Sequence, residues 1–102
     1  MGRFINSLKN KVITKSKEWN QEQTDKLLFT IRDLGYKPRF KKYSGFDLFV
    51  IIDQDDVDYE EFAEKLKNTT GGQAEIYNNN ETVKYMAPNG MIAYISSKDS
   101  GQ

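Results

Sequence analysis

The feature that most constrains the fold is the apolar run FDLFVIID at residues 46–53, the most apolar stretch of the chain. Its density of Leu, Val, Ile and Phe is typical of a strand at the centre of a sheet, because such a strand is covered on both sides. A basic segment, YKPRFKKY at residues 36–43, precedes it across Ser44 and Gly45, which favour a turn. The two segments therefore predict two strands joined by a turn.

Helices are predicted on both sides of these strands in the sequence. The first begins at Asn20, an N-cap residue, continues as one apolar face of Leu and Ile at helical spacing, and ends at Gly35. The second begins at Asp58, a good N-cap with Glu61 three residues later, and ends in the segment NTTGG at residues 68–72. Both helices therefore have recognisable start and stop signals.

The last third of the chain predicts a meander of three strands, QAEIY, TVKYMA and MIAYIS. The expected fold is a single domain over residues 1–102, an α+β class with an antiparallel sheet of four to five strands packed on two to three helices. Residues 1–17 are a basic N-terminal segment in which 11–15 fit a helix or a strand equally well. A strand there makes the layout an extended ferredoxin-like one. Residues 98–102 are expected to fray.

Composition excludes several classes of chemistry. The chain has no Cys and no His, so thiolate and imidazole metal sites, disulfides and histidine-based catalysis are all excluded. We therefore expect neither a cofactor nor a metal site, and no enzymatic activity. No apolar run approaches the roughly 20 residues that cross a bilayer, and no secretory signal is expected. A cytoplasmic location is expected.

Charge divides unevenly along the chain. Residues 1–52 carry eleven Lys/Arg and five Asp/Glu, whereas residues 53–102 carry four and ten. Seven carboxylates fall within residues 53–64, a segment that we call the acidic run. A calcium-binding EF-hand loop does not fit it, since the turn glycine is missing whether the loop starts at Asp53 or Asp56. The division either marks charged partners or is neutralised when the two halves fold together.

The acidic run predicts a protein-binding surface. Capping of the second helix uses Asp58 and Glu61, and the remaining carboxylates are expected to point into solvent. We call this set the acidic surface: Asp53, Asp55, Asp56, Glu60 and Glu64. Carboxylates on a rigid surface imitate backbone phosphates, so they suit a basic, nucleic-acid-binding cleft on another protein. The expected function is a non-catalytic inhibitor or adaptor, of the type found in phages and mobile elements; a solvated helix start is the simpler interpretation.

The basic segment supports an alternative, a small nucleic-acid-binding domain that uses residues 36–43. Alternation along a strand is expected to place Lys37, Arg39 and Lys41 on one face and Lys42 on the other. Three cations in a row suit phosphates, and Tyr43 is placed to stack on a base. Lys and Pro at this density are also typical of a protected edge strand. A pI near 6.3 does not favour a dedicated nucleic-acid-binding protein.

Aromatic residues suggest a second candidate interface. Most of the Phe residues and Trp19 are expected in the core, since they neighbour predicted apolar faces. Tyr77, Tyr85 and Tyr94 lie on the predicted meander, where one face is expected to be open to water. Tyrosine is a favoured contact residue at protein interfaces.

Overall fold

The structure is a computed structural model that describes residues 18–77 and 81–98. Its elements follow the order α1 (Gln21–Asp33), β1 (Pro38–Ser44), β2 (Asp47–Ile52), α2 (Tyr59–Thr70), β3 (Gln73–Tyr77), β4 (Thr82–Met86) and β5 (Ile92–Ser97). The predicted helices and strands of this part of the chain are confirmed, and the fold is α+β. The alternatives for residues 11–15, on which the ferredoxin-like layout depends, lie outside the described residues, as do residues 99–102 of the predicted tail.

The five strands form one sheet in the order β1-β2-β5-β4-β3. Three of the neighbouring pairs are antiparallel, as predicted, but β2 and β5 are parallel. The directions in which the strands run explain why the β2–β5 pair is parallel. Helix α2 returns the chain so that β3 runs the same way as β2, and the meander then reverses twice before β5. When the last strand of the meander joins β2, the pair has to be parallel, and the sheet is mixed.

Both helices begin and end where local chemistry favours it. The Asn20 side chain accepts a 2.8 Å hydrogen bond from the backbone N–H of Gln23 at the start of α1, which satisfies an amide that the helix itself leaves unpaired. Trp19 donates its indole N–H to the carbonyl of Ile92 at 2.8 Å, so the beginning of α1 is tied to β5. Gly71 ends α2 in the left-handed conformation at φ 78°, which glycine adopts without steric cost.

The hydrophobic core lies between the helices and one face of the sheet, which we call the covered face. From α1 and α2 the core takes Leu27, Ile31, Phe62 and Leu66, and from the three central strands it takes Leu48, Val50, Ile52, Val83, Tyr85, Ala93 and Ile95. Each fully buried side chain of this size contributes about 1.5–3 kcal/mol. The helices are therefore held on the sheet mainly by apolar burial.

The opposite face, which we call the open face, has no helix on it within the described residues. Its side chains come from alternate positions of the same strands, as the strand register shows: Arg39, Lys42, Phe49, Ile51, Tyr94, Ser96, Thr82, Lys84, Glu75 and Tyr77. Tyr77 is 50% exposed, whereas Ile51 and Thr82 are buried. The open face is thus a mixture of aromatic, charged and small side chains.

Strand β1 is an edge strand, as one interpretation of the basic segment predicted. Its pairing with β2 shifts between Phe40 and Lys42, which leaves Lys41 as an extra residue in a bulge. A bulge changes the face to which the following residues point. Pro38, which has no N–H to donate, stands at the first position of this strand. The bulge and the proline both discourage another strand from pairing with this edge.

Candidate functional site

The acidic run forms the loop after β2 and the first turns of α2. Backbone hydrogen bonds hold the start of the loop: the N–H of Asp53 donates to the carbonyl of Lys37, and the N–H of Lys37 donates to Oε1 of Gln54, both at 2.8 Å. Asp56 has a positive φ of 60°, a conformation that Asp tolerates better than most residues. The loop therefore has a defined path from the sheet edge to the helix.

Asp58 has the capping role predicted from the sequence. Its carboxylate oxygen Oδ1 accepts hydrogen bonds from the backbone N–H groups of Glu60 and Glu61, each at 3.1 Å. Glu61 also pairs with Lys65 one turn later at 3.4 Å. The hydrogen bond to Glu61, together with the nearby Tyr36, raises the pKa of Lys65. Asp58 is thus the cap, whereas the side chain of Glu61, which was also expected to cap, pairs with Lys65 instead.

All five members of the acidic surface are exposed, as predicted. Three of them lie in ion pairs, Asp53 with Arg39 at 3.5 Å, Asp55 with Lys98 at 3.3 Å and Glu64 with Lys67 at 3.6 Å. No ion pair involves Asp56 or Glu60 among the described residues. The Arg39–Asp53 pair joins the basic half of the chain to the acidic half. Part of the charge division is therefore neutralised within the fold.

The basic segment does not form the single row of cations that was predicted. Arg39 pairs with Ile51 and Lys42 with Phe49, so both cations lie on the open face, and the bulge removes Lys41 from that row. Tyr43 pairs with Leu48 on the covered face, and its hydroxyl lies 2.7 Å from Oγ1 of Thr24 in α1. The prediction for Lys41 and Lys42 is wrong because strand alternation breaks at the bulge. Lys37 is exposed just before β1.

The open face brings together aromatic residues that the sequence analysis only partly identified. The rings of Phe49 and Tyr94 are stacked with their centres 5.2 Å apart, and Tyr77 approaches Tyr94 at 5.6 Å. The Lys42 ammonium lies over the Phe49 ring, 5.5 Å from its centre. Tyr77 and Tyr94 were predicted candidates, but Tyr85 lies on the covered face and is 3% exposed.

The burial of the phenylalanine residues was predicted only in part. Phe62 is fully buried as expected, whereas Phe29 and Phe46 are 61% and 62% exposed. Phe49 lies on the open face although it was expected in the core. The alternation of Leu48, Val50 and Ile52 with Phe49 and Ile51 is the signal that separates the two faces of β2. That signal is weak because the whole run is apolar.

The described residues contain no group of three or more carboxylates arranged to hold a metal ion. The run of carboxylates follows the surface of a loop and a helix and does not converge on one point. Within the same residues no helix is long and apolar enough to cross a membrane. The predictions that the protein has no cofactor and no enzymatic activity stay predictions.

Comparison with known proteins gives a fold and no family. No protein-family model matches the sequence, and no curated protein does. The structure is similar to part of a solved structure, that of a cytoplasmic RNA terminal U-transferase, with a TM-score of 0.56 and 13% sequence identity. The similarity covers 88% of this chain and 33% of the other, so this chain spans about a third of that protein. At this identity the likeness concerns the fold alone.

Proposed function

We propose that the protein is a non-catalytic protein-binding module whose acidic surface occupies a basic, nucleic-acid-binding cleft on another protein in the cytoplasm. The observation that carries the proposal is the exposure of Asp53, Asp55, Asp56, Glu60 and Glu64 on one loop and helix start, after Asp58 alone has supplied the cap. An inhibitor encoded by a phage or a mobile element fits this chemistry.

Charge arithmetic supports an electronegative surface even after local pairing. The acidic run has seven carboxylates, and four cations pair with it, Arg39, Lys65, Lys67 and Lys98, which leaves a balance of 4 − 7 = −3. The paired side chains are between 36% and 68% exposed. Exposed pairs of this kind contribute about 0–1 kcal/mol, so a cation of the partner can replace the internal one at little cost.

The alternative, nucleic-acid binding by residues 36–43, has less support. The bulge leaves Arg39 and Lys42 on the open face but removes Lys41 from their row, and Arg39 is already paired with Asp53. Tyr43, the residue expected to stack on a base, is 43% exposed but lies on the other face from Arg39 and Lys42, with its hydroxyl 2.7 Å from Oγ1 of Thr24. A phosphate-binding surface needs several cations on one side. We therefore do not propose this function.

Site-specific photo-crosslinking in a bacterial lysate is the first experiment. A photoreactive residue at Glu60 is compared with one at Asn68, an exposed position farther along α2. We expect the Glu60 probe to capture a basic nucleic-acid-binding protein that the Asn68 probe does not capture. Because the surface is expected to occupy the partner's nucleic-acid cleft, added single-stranded DNA should compete with capture. Equal capture at both positions, or capture unaffected by DNA, contradicts the proposal.

Binding kinetics with the captured protein then test the charge argument. The variant with Asp55, Asp56 and Glu60 changed to Lys is compared with a control in which Glu22, Asp25 and Asp33 of α1 are changed to Lys. Both variants change the net charge by the same amount. We expect the first to slow association at least about tenfold at low salt, since opposite charges steer the encounter. The control should stay close to wild type, and equal rates for the two variants count against the acidic surface.

A further inference from the structure

A row of five side chains crosses the open face of the sheet, one from each strand. The strand register places them side by side in the order Lys42, Phe49, Tyr94, Lys84 and Glu75. The row has a cation at the β1 edge, a carboxylate at the β3 edge and two stacked aromatic rings near its centre. Tyr94 stands on β5, the middle strand. The row is therefore positively charged on the β1 side of Tyr94, whereas on the β3 side the charges of Lys84 and Glu75 cancel.

A twofold axis that runs along β5 makes this row complementary to itself. If two open faces meet about such an axis, β1 of one copy lies over β3 of the other, because β5 is the middle strand of five. Lys42 then faces Glu75 of the second copy, Phe49 faces Lys84, and Tyr94 faces its own equivalent. The first contact is an ion pair, and it alone carries the charge argument for this row, because the Phe49 ring already contacts Tyr94 and Lys42. Each of the off-axis contacts occurs twice in the pair.

A second row on the same face follows the same rule. The register gives the order Arg39, Ile51, Ser96, Thr82 and Tyr77. The axis along β5 places Arg39 over the half-exposed ring of Tyr77 in the second copy. Guanidinium groups bind favourably to tyrosine rings. Both rows thus join a cation near the β1 edge to a suitable acceptor near the β3 edge.

The other way to stack two open faces with aligned strands is unfavourable. A twofold axis perpendicular to the strands places β1 over β1 and β3 over β3. When that axis follows the first row, Lys42 faces Lys42 and Glu75 faces Glu75; when it lies midway between the two rows, Lys42 faces Arg39. Cations therefore meet cations at the β1 edge in both positions of the axis. Sheets that pack face to face keep their strands within about 30° of each other, and both arrangements satisfy that condition. The charges therefore select the axis along β5.

We propose that the open face binds the open face of a second copy of this chain, about a twofold axis parallel to β5. Five strands spaced about 4.8 Å apart, each five to seven residues long, offer roughly 500 Å² of sheet per copy. This is below the about 800 Å² per partner of a standard specific interface, so the dimer is weak and depends on concentration. The proposal concerns a different surface from the acidic one and does not rest on it.

Ring geometry favours a protein occupant of this face over a nucleic acid. Phe49 and Tyr94 are nearly parallel, with 22° between their planes, so each ring turns one side to the other. Lys42 lies over the Phe49 ring as well. A base needs a free ring face on which to stack, and here much of the ring surface is already in contact.

The test is sedimentation equilibrium of the full chain with charge-reversed variants. Lys42→Glu places carboxylates opposite Glu75 at both ends of the row, and Glu75→Lys places ammonium groups opposite Lys42. Each variant alone should therefore raise the dissociation constant of the dimer at least about tenfold at low salt. An equimolar mixture of the two should form a heterodimer, since the carboxylate introduced in the first variant then meets the ammonium group introduced in the second, and the native pair forms at the opposite end. Lys26→Glu, a charge reversal on α1, is the control and should dimerise like wild type.

Three results together support the proposal: a wild-type dimer, weakening by both single reversals with the folded circular-dichroism spectrum retained, and restoration in the mixture. Any other pattern overturns it. A wild-type chain that stays monomeric up to millimolar concentration shows that something else covers the face. A dimer that neither reversal weakens uses another surface, and a dimer that the mixture does not restore has a different axis. None of these outcomes affects the crosslinking test of the acidic surface.

Discussion

The two faces of the sheet are built from the same strands and yet carry different kinds of side chains. On β5, Ile95 is fully buried against the helices, while its neighbour Tyr94 lies on the opposite face among other rings and charged groups. The covered face is mostly apolar and the open face is mixed. This difference indicates that the covered face supplies most of the free energy of folding, and we expect the exposed side chains of the open face to be available for binding.

The largest effect is expected from shortening a side chain on the covered face. Ile95→Ala removes a fully buried side chain from the centre of the core and should lower the free energy of unfolding by about 2–5 kcal/mol. Lys84→Ala, on the open face of β4, should change it by less than about 0.5 kcal/mol. Urea unfolding of both variants measures the difference. Similar losses of stability for the two substitutions would show that the covered face does not stabilise the fold more than the open face.

A smaller effect on stability is expected within the acidic run, where a capping carboxylate can be compared with an exposed one. Asp58→Ala removes the cap of α2, whose carboxylate accepts two backbone hydrogen bonds, and should cost about 0.5–2 kcal/mol of stability. Glu60→Ala removes an exposed carboxylate two residues later and should cost less than about 0.5 kcal/mol. Thermal unfolding at neutral pH compares the two. If the variants are equally stable, the distinction between cap and surface is wrong.

The covered face also predicts a dependence of stability on alkaline pH. Burial raises the pKa of Tyr85 above its ordinary value of 10.0, so the folded chain disfavours the ionised phenol. The contribution is fully present below pH 10 and is lost as the pH rises through the folded pKa. Tyr85→Phe should therefore lose stability less steeply than wild type between about pH 9 and pH 11. Tyr94→Phe is the control for removal of a phenol. If the stability of Tyr85→Phe falls with pH as steeply as that of wild type, the argument is contradicted.

Local features of this fold were readable from the sequence. Asn20 and Asp58 were identified as caps because an N-cap needs a short polar side chain just before an apolar period, and both have that context. One of the two interpretations of the basic segment was an edge strand, because Pro38 and its cations suit an unpaired edge. Each of these inferences depends on residues within a few positions of one another, where spacing along the chain determines geometry.

Non-local features were not readable. The parallel pairing of β2 with β5 depends on which strand of the meander meets β2, and residues more than forty positions apart decide it. The bulge at Lys41 is a register shift of one residue, which moved Lys42 to the face of Arg39. Pairing of Asp53 with Arg39 follows from the proximity of the β1 and β2 ends in the folded chain. The exposure of the acidic surface was therefore predicted correctly. The number of its carboxylates without an ion pair was overestimated.

The central claim, that the covered face stabilises the fold and the open face binds a second copy, is tested most directly by Tyr94→Ala. Tyr94 stands on the proposed axis and contacts Phe49 and Tyr77. Urea unfolding and sedimentation equilibrium are measured on the same preparation. We expect the free energy of unfolding of the monomer to fall by about 1–3 kcal/mol, because two ring contacts are lost, while the dimer dissociation constant rises at least about tenfold. A large loss of stability with an unchanged dissociation constant contradicts the claim, because it shows that Tyr94 serves the fold and not the association.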